Sequence, residues 1–396
     1  MQRTTAKATA IAAIAAGLIL AAAAAAQQTT PSAPAAPATT TDRAVQAAPA
    51  TQEPQDAEQK ENAMAATKPV EGGPRKVIVG TSMFAMWGKY PGLQQRLDQL
   101  GSLIDDMAAK ARAQHGRSID IAALPEVAVN AGLPLGPKDA FPLAGAVQDF
   151  FAAKCREHHC YIVVPMTAKG LDADAPERAY NICALLGRKG ELVGVYRKVH
   201  AVGNRGGNDL EGGTMPGTDF PVFQCDFGKV GMQICYDISF DDGWQTLGRK
   251  GAELVIWSTQ SPGQRKAGFR AYANGYYVLT STWRNNASLL DPTGELIASI
   301  TKPEERVLVT EIDLEYLLIP WQPKLENGKA FDKTFGKGTV GYRYSEAEDG
   351  GIFWSNDPKR SIKAMAKELG LDWGNEEVER NRTLQDAIRG CPPCLK

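Results

Sequence analysis

Short apolar runs alternate with stretches of three-and-four periodicity along most of the chain, and this pattern begins at about residue 76. The run 76–80, Lys-Val-Ile-Val-Gly, is β-branched and almost uninterrupted, as a buried strand would be. Leu93, Leu97, Leu100, Ile104, Met107 and Ala111 then line one face of a predicted helix ending near Gly116. Apolar strands are expected at 119–124, where Pro125 stops the run, and at 160–165, with a helix over 145–158 between them. Two more, 181–186 and 191–196, flank Gly187-Arg188-Lys189-Gly190, whose glycines suit a tight hairpin. Residues 230–235, 254–257, 277–282, 287–290 and 307–312 supply later strands, with a turn at Asp291-Pro292-Thr293-Gly294. Interleaving of this kind predicts an α/β architecture with both hairpins and helix crossovers, in one domain over 76–318. From 319 onward the pattern turns irregular and rich in Lys, Gly, Asp and Asn, with one amphipathic helix over 358–369. That C-terminal extension, 319–396, is expected to pack on the core or on a partner subunit.

Composition changes the picture at the other end. The first 50 residues hold 21 Ala and only four charges, Arg3, Lys7, Asp42 and Arg43. Two cations ahead of an apolar stretch that closes on Ala24-Ala25-Ala26 match a secretory signal peptide over residues 1–26. The chain is therefore expected to be exported, to a periplasm or outside the cell; an uncleaved N-terminal membrane anchor is the alternative. No stable membrane span is expected after cleavage. Residues 27–75, rich in Ala, Pro and Thr, have too few large apolar side chains to offset the entropy of ordering, and read as a disordered tether. With 44 Lys+Arg against 45 Asp+Glu the net charge is −1, which excludes a strongly basic nucleic-acid binder.

Three residues carry candidate chemistry, each at the end of a predicted strand, where α/β folds place function. Glu126, in Leu-Pro-Glu126, offers a carboxylate that can act as a general base. Lys198, in Tyr-Arg-Lys198-Val-His, offers a point charge for an oxyanion. Cys235, in Gly-Met-Gln-Ile-Cys235-Tyr-Asp, offers a thiol at a sharp turn, with the Tyr236 N–H as an oxyanion donor beside it. The bland alternatives are an ordinary loop glutamate, a solvated cationic pair with Arg197 and a small buried hydrophobe; Cys183 and Cys225 are assigned that last role.

Taken in order, the three motifs resemble those of the carbon-nitrogen hydrolase, or nitrilase, superfamily. The resemblance runs from about Lys76 to Asp313 and includes Asn181, Arg249-Lys250-Gly251-Ala252-Glu253-Leu254 and Asp291-Pro292-Thr293-Gly294. It implies an α-β-β-α sandwich and a Glu-Lys-Cys triad of Glu126, Lys198 and Cys235. It also implies a second glutamate, Glu211, that orients Lys198 and the substrate. Tyr236-Asp237 after the cysteine looks like the amidase branches rather than the nitrilases proper. The implied activity is cleavage of a non-peptide carbon-nitrogen bond, that of an aliphatic amide, through a cysteine thioester with release of ammonia or an amine, with N-carbamoyl amine hydrolysis or nitrile hydrolysis as alternatives on the same triad. Family resemblance implies no metal, no other cofactor, and a homo-oligomer.

Two other classes compete. A non-catalytic binding module on the same fold has no need of all three residues. A papain-like hydrolase needs a histidine at the thiol, and His200, two residues from Lys198, reads instead as a brace for the lysine loop. Cys155, His158, His159 and Cys160 have some spacing of metal ligands, but the two cysteines are expected to point into the core. Cys391 and Cys394 are expected to form a local disulfide.

Overall fold

Successive side chains of a strand point to opposite faces, so a run apolar at every position has two faces to bury. The structure, a computed structural model, describes residues 72–204 and 206–390 and shows where those faces go. The signal peptide, most of the tether, and Cys391 and Cys394 lie outside the described residues.

The chain forms β1 (Lys76–Ser82), α1 (Leu93–His115), β2 (Ile121–Ala123), β3 (Phe141–Pro142), α2 (Ala146–His158), β4 (Tyr161–Lys169), β5 (Tyr180–Leu186) and β6 (Leu192–Arg197). It continues through β7 (Val222–Gln224), β8 (Lys229–Ile234), α3 (Asp242–Arg249), β9 (Leu254–Ser258), α4 (Gln264–Asn274), β10 (Tyr277–Ser281), β11 (Ala287–Leu290), β12 (Leu296–Ile300) and β13 (Val307–Asp313). One sheet runs β13-β1-β2-β4-β5-β6, with β3 paired to β4; the other runs β12-β11-β10-β9-β8-β7. Strand β13 returns the chain antiparallel to β1, with Lys76 opposite Asp313.

Period-two alternation sorts the core into layers. Val77 and Val79 join Ile121, Ala123, Val163 and Leu185 against Val230, Met232, Ile234, Ile256 and Leu279 of the second sheet. Ile78, Ala122, Ile162 and Ala184 point the other way, onto Leu97, Leu100, Ile104 and Met107 of α1 and Val147 and Phe151 of α2. Val255, Trp257 and Val278 pack outward under Trp244 and Leu247 of α3 and Ala267 and Ala271 of α4. This is the α-β-β-α sandwich that the resemblance implied.

Polar links close the sandwich at the carboxyl ends of its parallel strands. Thr81 Oγ1 donates to Thr280 O at 2.7 Å, Ser281 Oγ to Ser82 O at 2.9 Å, and Ser258 Oγ to Leu124 O at 2.8 Å. All three hydroxyls are buried and bridge the two sheets at their strand ends, the last of them at the residue before Pro125. A hydroxyl that bonds a facing carbonyl avoids the cost of an unmet buried donor and also sets the spacing between layers.

The tail departs from expectation. Rather than irregular coil with one helix, it forms β14 (Tyr316–Pro320), α5 (Lys329–Phe335), β15 (Val340–Ser345), β16 (Gly350–Ser355), α6 (Ile362–Glu368) and α7 (Glu376–Arg389). The strands make a third, antiparallel sheet in the order β14-β16-β15, and β14 straddles the expected boundary at 318. Ile352 and Trp354 face the inter-sheet core, while Leu317 and Phe353 face a separate cluster with Phe331, Ile362 and Met365. Arg343 on β15 reaches back to the fully buried Asp291, donating from Nε at 3.0 Å and Nη2 at 2.7 Å. Asp291 also accepts the Thr293 N–H at 2.8 Å within its turn. Asp291→Ala is expected to cost about 1–2 kcal/mol, read as a fall in denaturant midpoint, because it removes the buried acceptor shared by the partly exposed Arg343 guanidinium and the Thr293 N–H. A change below about 0.5 kcal/mol would show that this contact does not hold the third sheet to the core.

Candidate active site

Three strand ends and one loop deliver the predicted residues to a single place. β2 ends at Ala123, and Leu124-Pro125 carries Glu126 into the interior, where it is 2% exposed. Lys198 follows directly on β6 and is equally buried, with a backbone bond from its N–H to Asn181 O at 2.8 Å on the neighbouring β5. Its Nζ lies 2.9 Å from Glu126 Oε1 and hydrogen-bonds Glu211 Oε1. Asn181 Nδ2 bridges the same two carboxylates, at 3.0 Å to Glu126 Oε1 and 3.1 Å to Glu211 Oε2. The sequence singled out Asn181 only as part of a motif; its place between two acids was not legible, because its partners lie 55 and 30 residues away.

Glu211 is set by an unusual backbone. Its φ is +42°, followed by +72° at Gly212 and +97° at Gly213. A Cβ at Gly212 would meet Leu135 O at 2.0 Å, so the loop can lie against residues 135–136 only with glycine there. Val202 N–H donates to Glu211 Oε1 at 3.1 Å, which fixes the carboxylate from the other side.

Cys235 leaves β8 at a φ of +42° and opens a five-residue 3-10 turn, Cys235–Ser239. A non-glycine residue in that conformation carries strain that its surroundings must hold, a common property of functional turns. Two tryptophans grip the backbone here: Trp257 Nε1 donates to Cys235 O at 3.1 Å, and Trp283 Nε1 to Glu126 O at 3.0 Å. Neither was singled out from the sequence as a site residue. Tyr236, the other predicted site residue, directs its side chain outward, 41% exposed, with its ring edge on Phe240.

The electrostatics follow from burial. Burial by itself would push the Lys198 ammonium down, but Glu126, Cys235 and Glu211 more than reverse this, so its pKa lies above the ordinary lysine value. Burial, and after it the Glu126 charge, push the Cys235 thiol up to about 12 against Lys198 and Thr259, which act in the opposite sense. The resting group is therefore a thiol beside a carboxylate. Among the described residues Glu126 Oε2 is buried without a hydrogen-bond partner, as is Asn181 Oδ1. Such an arrangement can take a proton from sulfur on one side and hold a developing negative charge on the other.

Of the other described cysteines, Cys183 lies within electrostatic reach of Glu126 and Lys198, and Cys155, Cys160 and Cys225 stand apart from this centre. Cys155, Cys160, Cys183 and Cys225 are buried free thiols, and His158 Nε2 lies 2.6 Å from Asp105 on α1. Because Lys154 also bonds Asp105, at 2.7 Å, a cation already occupies the acidic side of that cluster.

Residues 43–318 match the family model for carbon-nitrogen hydrolases. Omega-amidase NIT2 of Xenopus tropicalis is 30% identical over 231 residues, covering 52% of this chain and 81% of that protein. Beta-ureidopropionase of Arabidopsis thaliana is 30% identical over 150 residues, 35% of each chain. The crystal structure of a carbon-nitrogen hydrolase from Helicobacter pylori G27 superposes with a TM-score of 0.52 at 18% identity, covering 61% of this chain and 90% of that one, a likeness of fold.

Glu126→Gln removes a negative charge that raises the thiol while keeping the side chain's shape. The pH midpoint for alkylation of Cys235 by iodoacetamide, followed by mass spectrometry, is expected to fall below that of the wild type. An unchanged midpoint would mean that the carboxylate does not act on the sulfur, and a higher one that it does not raise the thiol.

Proposed function

The chain belongs to the carbon-nitrogen hydrolase family, and on that premise we propose that it is a thiol amidase acting through Glu126, Lys198 and Cys235 on a small amide. The observation that carries this reading is the buried Lys198 ammonium, shared by Glu126 and Glu211 next to the Cys235 thiol.

In the proposed sequence Glu126 takes the thiol proton as sulfur bonds to the amide carbon, and the carbonyl electrons move onto oxygen. Lys198 and the Tyr236 N–H stabilise that oxyanion, and Glu211 holds Lys198 in place. The carbon–nitrogen bond then breaks, with the proton on Glu126 passing to the leaving nitrogen, so that ammonia or an amine departs and a thioester remains on Cys235. Glu126 next takes a proton from water as its oxygen adds to the thioester. The carbon–sulfur bond breaks, the acid leaves, and the proton returns to sulfur. Lysine suits the oxyanion because the neighbouring carboxylates keep it charged at every working pH. The named relatives act as an omega-amidase and a beta-ureidopropionase, which makes ω-amides and N-carbamoyl amines the substrates to try beside simple aliphatic amides.

Ammonia release measured over aliphatic amides, ω-amides, N-carbamoyl amines and nitriles is expected to find turnover of amides. Cys235→Ala abolishes it, and Lys198→Ala lowers kcat by at least about 10²–10³-fold. Equal rates in wild type and Cys235→Ala would overturn the proposal, and turnover of nitriles alone would overturn the amidase assignment.

A further inference from the structure

Lys198 follows a strand of the first sheet and Cys235 a strand of the second, so their separation depends on what joins the ends of β6 and β8 beyond the core. The Asp237 side chain makes such a join. Asp237 is fully buried and accepts four hydrogen bonds. Oδ2 takes the Ile234 N–H at 2.8 Å and the Tyr196 O–H at 2.7 Å. Oδ1 takes the His200 N–H at 3.0 Å and His200 Nδ1 at 3.0 Å. Tyr196 and His200 stand two residues to either side of Lys198; Ile234 and Asp237 bracket Cys235. Tyr196 Oη also accepts the Val199 N–H at 3.3 Å, which closes a ring around the lysine.

We propose that Asp237 is a positioning residue for this reaction, fixing Cys235 against Lys198 by tying the thiol's strained turn to the lysine loop. The chemistry of the four donors explains why a carboxylate stands here. Each oxygen receives one backbone N–H, from Ile234 on one side and His200 on the other, and backbone donors cannot reverse their polarity. An asparagine would have to turn its NH₂ toward one of them, so the neutral isostere breaks one anchor or the other. A glutamate adds a methylene to a fully buried side chain and would have to displace its neighbours. The same bond to Ile234 N–H lies across the +42° φ of Cys235, which ties the strain of the turn to the position of the lysine.

His200 completes the device. Its ring stacks on Phe240 at 3.9 Å and 7°, and its Nε2 lies 3.3 Å from Asp242 Oδ2, so it is held between two carboxylates. Trp244 Nε1 donates to Asp237 O at 2.9 Å and fastens the hub to α3. No atom of Asp237 is placed to touch a substrate in this arrangement; it acts through Lys198 and Cys235.

The inference rests on the thiol-amidase reading, so the deciding measurement uses thiol reactivity beside turnover. Asp237→Asn is expected to lower kcat about 10²-fold while KM moves less than about threefold, as a displaced but folded centre would. The pH midpoint of Cys235 alkylation should rise, because Lys198, which lowers the thiol, is no longer held beside it. Tyr196→Phe, which removes one O–H and leaves the shape intact, should move both readouts in the same direction by less, and answers the question if Asp237→Asn does not fold. His200→Asn, whose amide keeps a donor near the Nδ1 position, should retain more activity than His200→Ala. Loss of activity in proportion to lost folded protein, with the alkylation midpoint unchanged in Tyr196→Phe, would overturn the inference. Should the wild type hydrolyse no amide, the alkylation shifts still decide the inference, and only the amidase reading fails.

Discussion

An ammonium group removed from water costs several kcal/mol unless anions and hydrogen bonds replace its hydration, and Lys198 is 2% exposed. Everything around the candidate site can be read as the answer to that cost. Two carboxylates supply the charge, Asn181 supplies a donor that spans both, and the backbone of β5 fixes the lysine's own N–H. Two acids against one base leave the buried cluster net negative with the thiol still protonated, which sets the chemical character of the centre. A thiolate is disfavoured until a proton can leave for Glu126 and an electrophile can take the charge. On the proposed reading this holds the nucleophile in its less oxidisable form between turnovers.

Such a cluster is only as good as its geometry, and the fold supplies that in two tiers. The lower tier is the hydroxyl bridging of Thr81, Ser258 and Ser281, which locks the sheets together immediately beneath the strand ends. Above it the chain is irregular but heavily bonded: two indoles hold the carbonyls of Glu126 and Cys235, and the Asp237 carboxylate ties the lysine loop to the thiol turn. Positive φ at Val127, Glu211 and Cys235 marks where the backbone is bent away from its easy conformations to aim these groups. Strain of that kind persists because the surrounding bonds over-determine it.

How much of this the sequence revealed depends on the range over which each feature acts. Glu126, Lys198 and Cys235 were legible because each ends an apolar strand in a short motif, and Glu211 because its motif is also local. The double-sheet core was legible because its central strands are apolar at nearly every position. By contrast α4 escaped notice because it buries only Ala267, Gly268, Arg270 and Ala271, so no periodicity of large apolar residues announces it. Strands β7 and β12 are short edges with exposed positions, and β15 and β16 interrupt their alternation with glycine, so the third sheet read as coil. Asp237, Asn181, Trp257, Trp283 and the bridging hydroxyls take their meaning from partners up to 199 residues away, which no local pattern encodes.

The central claim is that acyl transfer passes through sulfur, and the most direct measurement is the mass of the peptide carrying Cys235 after rapid acid quench during turnover of a simple amide. The expected result is an acyl adduct on Cys235 that forms with ammonia release and disappears when substrate is exhausted. Turnover with the adduct on another residue, or with Cys235 unmodified throughout, would contradict it.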